Sequence, residues 1–261
     1  MDLENVIKNN YNLDIISIIK NEDSTDGNVY NIDTSSNKYI VKIYDNLDKA
    51  NNMINIHNFL YDMYIPRVIQ TKDKKYCLEY NNKYIVIYSF LEGIQVSKYI
   101  KENNNSYTKD IVMSIAKEVR KLHNLTRNNS FNLETITFAN KLKRKSLLHF
   151  DLTKENIFIN NKIGFIDFDD SKYGDSILDV AILISFLFIS KKRGIDNDNI
   201  KLFLDNYYNE DEIDLRKEES SYIKKYMYDW INYILDGHEF DSSLKNSFLF
   251  KKNSIDSIKI D

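Results

Sequence analysis

Leu147–Asp170 has the sequence LLHFDLTKENIFINNKIGFIDFDD. His149, Asp151 and Asn156 occupy a short polar loop that runs into the apolar segment Ile157–Ile159. The turn Asn160–Lys162 then sends the chain back through Ile163–Ile166 and delivers Asp167 beside the first loop. Two carboxylates and a carboxamide are thereby expected to converge. Phosphoryl transfer needs hard oxygen ligands for Mg²⁺ and one carboxylate facing the attacking hydroxyl. Asp151 suits the second task; Asn156 and Asp167 suit the first. An isolated aspartate is more often a turn or cap residue, so the combination carries the reading and no single acid does. His149 is expected to brace the loop through hydrogen bonds, and Asp169 and Asp170 to solvate the turn.

The segment resembles the catalytic loop and metal-binding strand of the aminoglycoside phosphotransferase and choline kinase family, in which His-x-Asp-x-x-x-x-Asn precedes a strand ending Ile-Asp-Phe. Tyr173-Gly174-Asp175 and Leu178-Asp179-Val180-Ala181 are similar to that family's next conserved run, and Leu122-His123 to the end of its preceding helix. The resemblance implies an α+β, bilobal, protein-kinase-like fold. A small lobe over residues 1–88 would hold a five-stranded antiparallel sheet with one helix. A hinge over 89–93 would lead to a larger, mainly helical catalytic and substrate-binding lobe over 94–261.

The rest of the chain is compatible with that order. Ile15–Lys20, Val29–Asp33, Lys38–Tyr44, Tyr76–Tyr80 and Lys83–Tyr88 are β-rich runs between polar turns. Ala50, Met53, Ile54, His57 and Leu60 fall at helical spacing ahead of Pro66. Beyond the hinge, helices are expected over Ile111–His123, Val180–Ile189, Ile200–Tyr207 and Tyr222–Ile234. Only a short connection separates His123 from Leu147, where the family commonly has more helix.

The resemblance also implies nucleotide-binding residues. Lys42 stands where the family's third strand carries the lysine that pairs with ATP phosphates, and Gly27 lies in the loop that would cover them. Phe90 and Leu91 belong to a hinge whose backbone would read the adenine edge, with Ile40 on one side and Phe158 and Ile166 on the other. Two departures stand out. The loop Asn21–Gly27 includes Glu22, Asp23 and Asp26, which repel phosphate, and the helix after Lys42 has no glutamate to pair with it.

The activity so implied is transfer of the γ-phosphoryl of ATP, with GTP left open, to a hydroxyl of a small molecule: an aminoglycoside, choline, homoserine or a similar amino-alcohol or sugar, with Mg²⁺ as cofactor. The two departures motivate a second reading, a kinase-fold binding or structural protein without turnover, as in spore-coat proteins. A protein kinase is disfavoured because too little sequence lies between Asp170 and Ile177 for an activation segment ending Ala-Pro-Glu. On the helix near Trp230, Asp229, Asp236, Glu239 and Asp241 are candidates for pairing with an amine, although Trp230 at helical spacing reads first as core.

Composition sets outer limits. With 261 residues the chain can bury a sizeable core, and no fixed-period repeat is present. A net charge of -3 argues against a nucleic-acid partner, and the basic cluster Lys141, Lys143, Arg144, Lys145 reads as a solvated face. No membrane partner is expected, since Val180–Ile189 is too short to span a bilayer. Residues 1–10 lack a secretory pattern, and the single Cys77 cannot form an internal disulfide, so the expected location is the cytoplasm. Neither the acceptor nor the oligomeric state is legible.

Overall fold

The computed structural model describes residues 2–22 and 28–260. Gly27 and most of the acidic loop therefore lie outside the described residues. The chain divides into two compact units, residues 1–92 and 93–261.

Unit 1 begins with helix α1 (Leu3–Asn10), followed by strands β1 (Ile15–Lys20), β2 (Val29–Thr34) and β3 (Lys38–Tyr44), helix α2 (Leu47–Phe59), and strands β4 (Val68–Ile69), β5 (Leu78–Tyr80) and β6 (Lys83–Ser89). The sheet has six strands in the order β1-β2-β3-β6-β4, with β5 also paired to β6, and every pairing is antiparallel. Two details add to the expected five strands and one helix. The sheet gains β4, a two-residue strand with too little length for an alternation signal, held by Val68↔Tyr88 and Ile69↔Ile87. A second helix, α1, precedes the sheet: Asp2 caps it by accepting from Asn5 N (2.8 Å), and Val6 and Ile7 are buried.

Alternation along β3 and β6 assigns the two faces. Val41, Ile85 and Ile87 pack with Val6, Ile7 and Tyr11 of the α1 region. Ile40 and Lys42 register with Tyr88 and Val86 and so occupy the opposite face, where the Tyr88 ring packs at a tilt on His57 of α2 (4.7 Å) and its hydroxyl hydrogen-bonds that of Tyr44 (3.0 Å).

Unit 2 contains β7 (Ile94–Gln95), helices α3 (Val96–Glu102) and α4 (Lys109–Leu125), strands β8 (Lys145–Leu148), β9 (Ile157–Ile159), β10 (Ile163–Phe165) and β11 (Lys172–Asp175), helix α5 (Ile177–Leu187), the ribbon β12 (Ile189–Ser190) and β13 (Gly194–Ile195), and helices α6 (Asn197–Tyr207), α7 (Ile213–Gly237) and α8 (Ser242–Ser254). Helix α5 is apolar nearly all round and almost wholly buried, as a helix packed on all sides must be. No helix among the described residues is long and apolar enough to cross a membrane.

The basic cluster is not uniformly a solvated face. Arg144 is 2% exposed and its guanidinium forks onto the carboxylate of Glu219, itself 1% exposed, with Nε to Oε1 at 2.9 Å and Nη2 to Oε2. Distant partners, Glu219 on α7 and the Tyr207 hydroxyl on α6 (3.1 Å), make that burial tolerable, so nothing local to residues 141–145 could reveal it.

Gly93 opens unit 2 with φ +132, and a Cβ built there would lie 2.7 Å from the carbonyl oxygen of Ile159. The adjacent pairing Ile94↔Ile159 requires that approach. Gly93→Ala should therefore destabilise by roughly 1–3 kcal/mol, combining backbone strain and overpacking. A melting temperature equal to that of the parent would show that the contact is not tight.

Candidate active site

Strand β8 carries the chain to His149, and its antiparallel partner β11 ties the far end of the segment back through Leu148↔Lys172. Between them, β9 and β10 form the hairpin expected from Ile157–Ile166, in the register Ile157↔Phe165 and Ile159↔Ile163. Ile166 N donates to Asn156 O (3.1 Å) at the open end of that hairpin. Asp167 therefore leaves the hairpin where Asn156 enters it.

The side chains follow. Asn156 Nδ2 donates to Asp151 Oδ2 at 2.7 Å and to the Asp151 carbonyl at 3.0 Å. This fixes the carboxamide's orientation and leaves its Oδ1 as the oxygen for other partners. Asp167 is exposed and takes a left-handed backbone, φ +66, which aspartate tolerates better than bulkier residues. Phe150, beside Asp151, takes φ +68, a strained conformation for a large side chain.

That strain has a visible support. Asp179, fully buried on α5, accepts from the backbone N–H of His149 (2.7 Å, Oδ2) and of Phe150 (2.9 Å, Oδ1). A carboxylate bridging consecutive amides pins the loop in the conformation that presents Asp151. His149 adds a brace: its Nε2 lies 2.8 Å from the carbonyl oxygen of Ile166. A carbonyl can only accept, so Nε2 carries the hydrogen, and the ring packs on Phe168 at 4.5 Å. His149 thus holds the Asp151 loop against the end of the strand that bears Asp167.

The electrostatics suit a proton acceptor. Burial is the largest influence on Asp151 and lifts its carboxyl above the ordinary aspartate range. His149 acts in the opposite direction, Asp167 and Asp170 push it further up, and the Asn156 hydrogen bond lowers it. Asp151 is therefore easier to protonate folded than unfolded. Its charge costs stability above the folded pKa, and that cost disappears as pH falls below the ordinary aspartate range. For a reaction in which Asp151 takes a proton, the acid limb of the rate profile should lie above that of an unperturbed carboxylate. A limb at the ordinary aspartate position would contradict this environment.

A divalent cation fits the donor set. Mg²⁺ is usually held by one or two carboxylates together with water and substrate phosphates rather than by an all-protein cage. Asn156 Oδ1 and the Asp167 carboxylate are hard oxygens on neighbouring ends of one hairpin, as such binding requires.

The remaining candidates are placed as follows. In unit 1, Ile40 and Lys42 share a sheet face, Phe90 is exposed and Leu91 is buried. The Phe90 amide donates to the Lys38 carbonyl (3.2 Å) and the Ser89 amide to the Arg67 carbonyl (2.8 Å). In unit 2, Phe158 and Ile166 are half-buried.

Trp230 is 2% exposed and packed between Phe186 (5.4 Å) and Phe248 (5.8 Å), so it is core and no part of a cation box. The α7 residue that reaches the loop is Tyr233, whose ring meets Phe150 edge-on at 5.8 Å. Its position three residues beyond Trp230 puts both on adjoining helical faces, a signal present in the spacing but indistinguishable there from core.

Comparison with known proteins bears on the fold and on part of the sequence. Residues 131–211 match the sequence model described as the phosphotransferase enzyme family. An aminoglycoside phosphotransferase from Alicyclobacillus acidocaldarius superposes with a TM-score of 0.69 at 11% identity, covering 98% of this chain and 94% of that one. A spectinomycin phosphotransferase in complex with ADP and spectinomycin gives 0.62 at 16% identity over 95% and 92%. A choline kinase from Streptococcus pneumoniae gives 0.55 at 14% identity over 97% of both chains. A search of curated protein sequences gives no match. The chain thus has the protein-kinase-like fold of the aminoglycoside phosphotransferases and choline kinases, and its stretch 131–211, which includes Asp151, Asn156, Asp167 and Asp179, carries the sequence pattern of the phosphotransferase enzyme family.

Proposed function

We propose that the protein is a small-molecule kinase that moves the γ-phosphoryl group of ATP to an alcohol. The observation that carries this reading is the Asp151–Asn156 hydrogen bond set beside Asp167 by the β9–β10 hairpin. Asp151 accepts the hydroxyl proton as the hydroxyl oxygen bonds to the γ-phosphorus, and the bond from that phosphorus to the β,γ-bridging oxygen breaks to release ADP. Asn156 and Asp167 would hold Mg²⁺, which when bound would supply charge neutralisation on the phosphate oxygens. Lys42 is assigned to the phosphates, and Ile40, Phe90, Leu91, Phe158 and Ile166 to the base.

The acceptor is assigned to the amino-alcohols and amino-sugars. The structural neighbours act on such compounds by name, among them spectinomycin, choline and aminopropanol. The end of α7 carries a cavity of about 490 Å³ lined by Asp236, His238, Glu239 and Lys245, whose two carboxylates outnumber its one lysine, in keeping with a cationic acceptor. The competing reading, a kinase-fold protein without turnover, is favoured by one observation: α2, Leu47–Phe59, contains no glutamate.

The deciding experiment incubates the protein with Mg·ATP or Mg·GTP and a panel of aminoglycosides, choline, homoserine and amino-alcohols, following phosphorylated product by mass spectrometry. Acceptor-dependent product supports the kinase. Nucleotide binding without product from any member supports the non-catalytic reading.

A further inference from the structure

A chain of buried polar groups runs from the middle of unit 2 to the candidate catalytic loop, and its directionality can be read atom by atom. Arg144 has only donors, so its Nη2 donates to the Tyr207 hydroxyl oxygen (3.1 Å) while also serving Glu219. The Tyr207 hydroxyl lies 2.7 Å from His123 Nδ1, and His123 Nε2 lies 3.2 Å from Asp179 Oδ2. Asp179 is the carboxylate that holds the His149 and Phe150 amides. His123, Tyr207 and Asp179 are all fully buried.

With the hydroxyl oxygen occupied by Arg144, the one hydroxyl proton of Tyr207 is directed at His123 Nδ1. The imidazole is then neutral and carries its hydrogen on Nε2, donating to Asp179. Burial, which lowers the pKa of His123, agrees with the neutral ring. The groups facing it from the elements packed around it are Asp179 on α5, Tyr207 on α6 and Arg144 ahead of β8, with Glu219 of α7 and Tyr208 behind the guanidinium. A second positive charge beside Arg144 is unfavourable and adds to the effect of burial, and the two together act against the pull of the Asp179 carboxylate.

We propose that His123 is a positioning residue: as the Nε2–H tautomer, oriented from Arg144 through Tyr207, it fixes the Asp179 carboxylate that holds the strained His149–Phe150 backbone and so aims Asp151. The kinetic consequence rests on the phosphotransferase reading above, whereas the tautomer and its effect on the loop do not.

The test therefore has two arms on the full chain. Histidine labelled with ¹⁵N, read by long-range proton–nitrogen correlation, should show His123 as the Nε2–H tautomer from about pH 8 to about pH 5.5, through the range where an ordinary histidine ionises. The Nδ1–H tautomer, or an imidazolium in that range, would overturn the proposal. In the second arm, His123→Leu should shift the His149 and Phe150 amide resonances, and His123→Gln, which retains a donor for Asp179, should return them towards the parent values. Tyr207→Phe, which keeps the ring, should shift the His123 nitrogens and serves if His123→Leu fails to fold.

With an acceptor in hand, His123→Leu should lower kcat on the order of 10- to 100-fold through misplacement of the loop, with KM for ATP nearly unchanged and partial rescue by His123→Gln. Unmoved loop amides in a folded His123→Leu or Tyr207→Phe protein, or a loss confined to KM, would overturn the positioning role. Failure to find any acceptor would refute the kinase reading alone, because the tautomer and amide shifts are decided without turnover.

Discussion

Asp151→Asn should lower phosphoryl transfer by about 10²- to 10⁴-fold, the usual worth of a positioned proton acceptor, while nucleotide binding stays close to that of the parent. Asparagine preserves the shape of the side chain and an oxygen for the Asn156 Nδ2 donor, but it cannot take the hydroxyl proton. It also removes a negative charge that burial and the neighbouring Asp167 and Asp170 disfavour. The variant should therefore melt at or above the parent temperature at neutral pH, and the difference should shrink as the medium is acidified into the range where Asp151 is protonated. Single-turnover transfer, nucleotide titration and thermal melts read the three quantities. Undiminished turnover would remove Asp151 from the mechanism, and a loss of activity accompanied by a fall in melting temperature would mean that the residue serves the fold.

Asp179→Ala should produce the largest loss of stability, roughly 3–5 kcal/mol in urea unfolding, because it leaves the buried His149 and Phe150 amides without an acceptor. Phe150 sits at φ +68, and without its support the loop is expected to relax towards an ordinary conformation and carry Asp151 with it. Asp179→Asn, which keeps one acceptor oxygen, should lie between the alanine variant and the parent. Activity should fall with both, and the opposite sign of the stability change separates this residue from Asp151. A stability loss below about 1 kcal/mol for Asp179→Ala would show that the carboxylate does not carry the loop.

The contrast between these two aspartates reflects what local sequence can and cannot express. The β9–β10 hairpin was legible because its signals are local: an apolar run, a polar turn and a return run. The α4, α5, α6 and α7 helices were legible from period and length, with ends off by up to three residues except that α7 begins at Ile213, nine residues before the expected Tyr222. Helix α1 was missed because eight residues with only Val6 and Ile7 buried give a weak period, and its stability comes from the sheet face it covers. Strand β4 exists only because β6 pairs with it.

Side chains divide in the same way. The Asp151–Asn156 pair spans five residues of one loop, and its spacing is readable. Arg144 looked like surface charge because its partner, Glu219, is 75 residues away. Tyr233 could not be separated from Trp230 by spacing, since one ring meets Phe150 and the other fills the core only once α7 is packed.

The hairpin, the loop before it and the order of the longer elements follow from local sequence, because hydrogen bonding and apolar periodicity act over a few residues. The tertiary structure alone decided that Asp179 grips the loop backbone, that Arg144, Tyr207 and His123 stand behind it, and that Tyr233 reaches Phe150. Those contacts join residues far apart in the chain. A buried charge or a strained φ becomes affordable only when packing brings its partner within hydrogen-bonding distance.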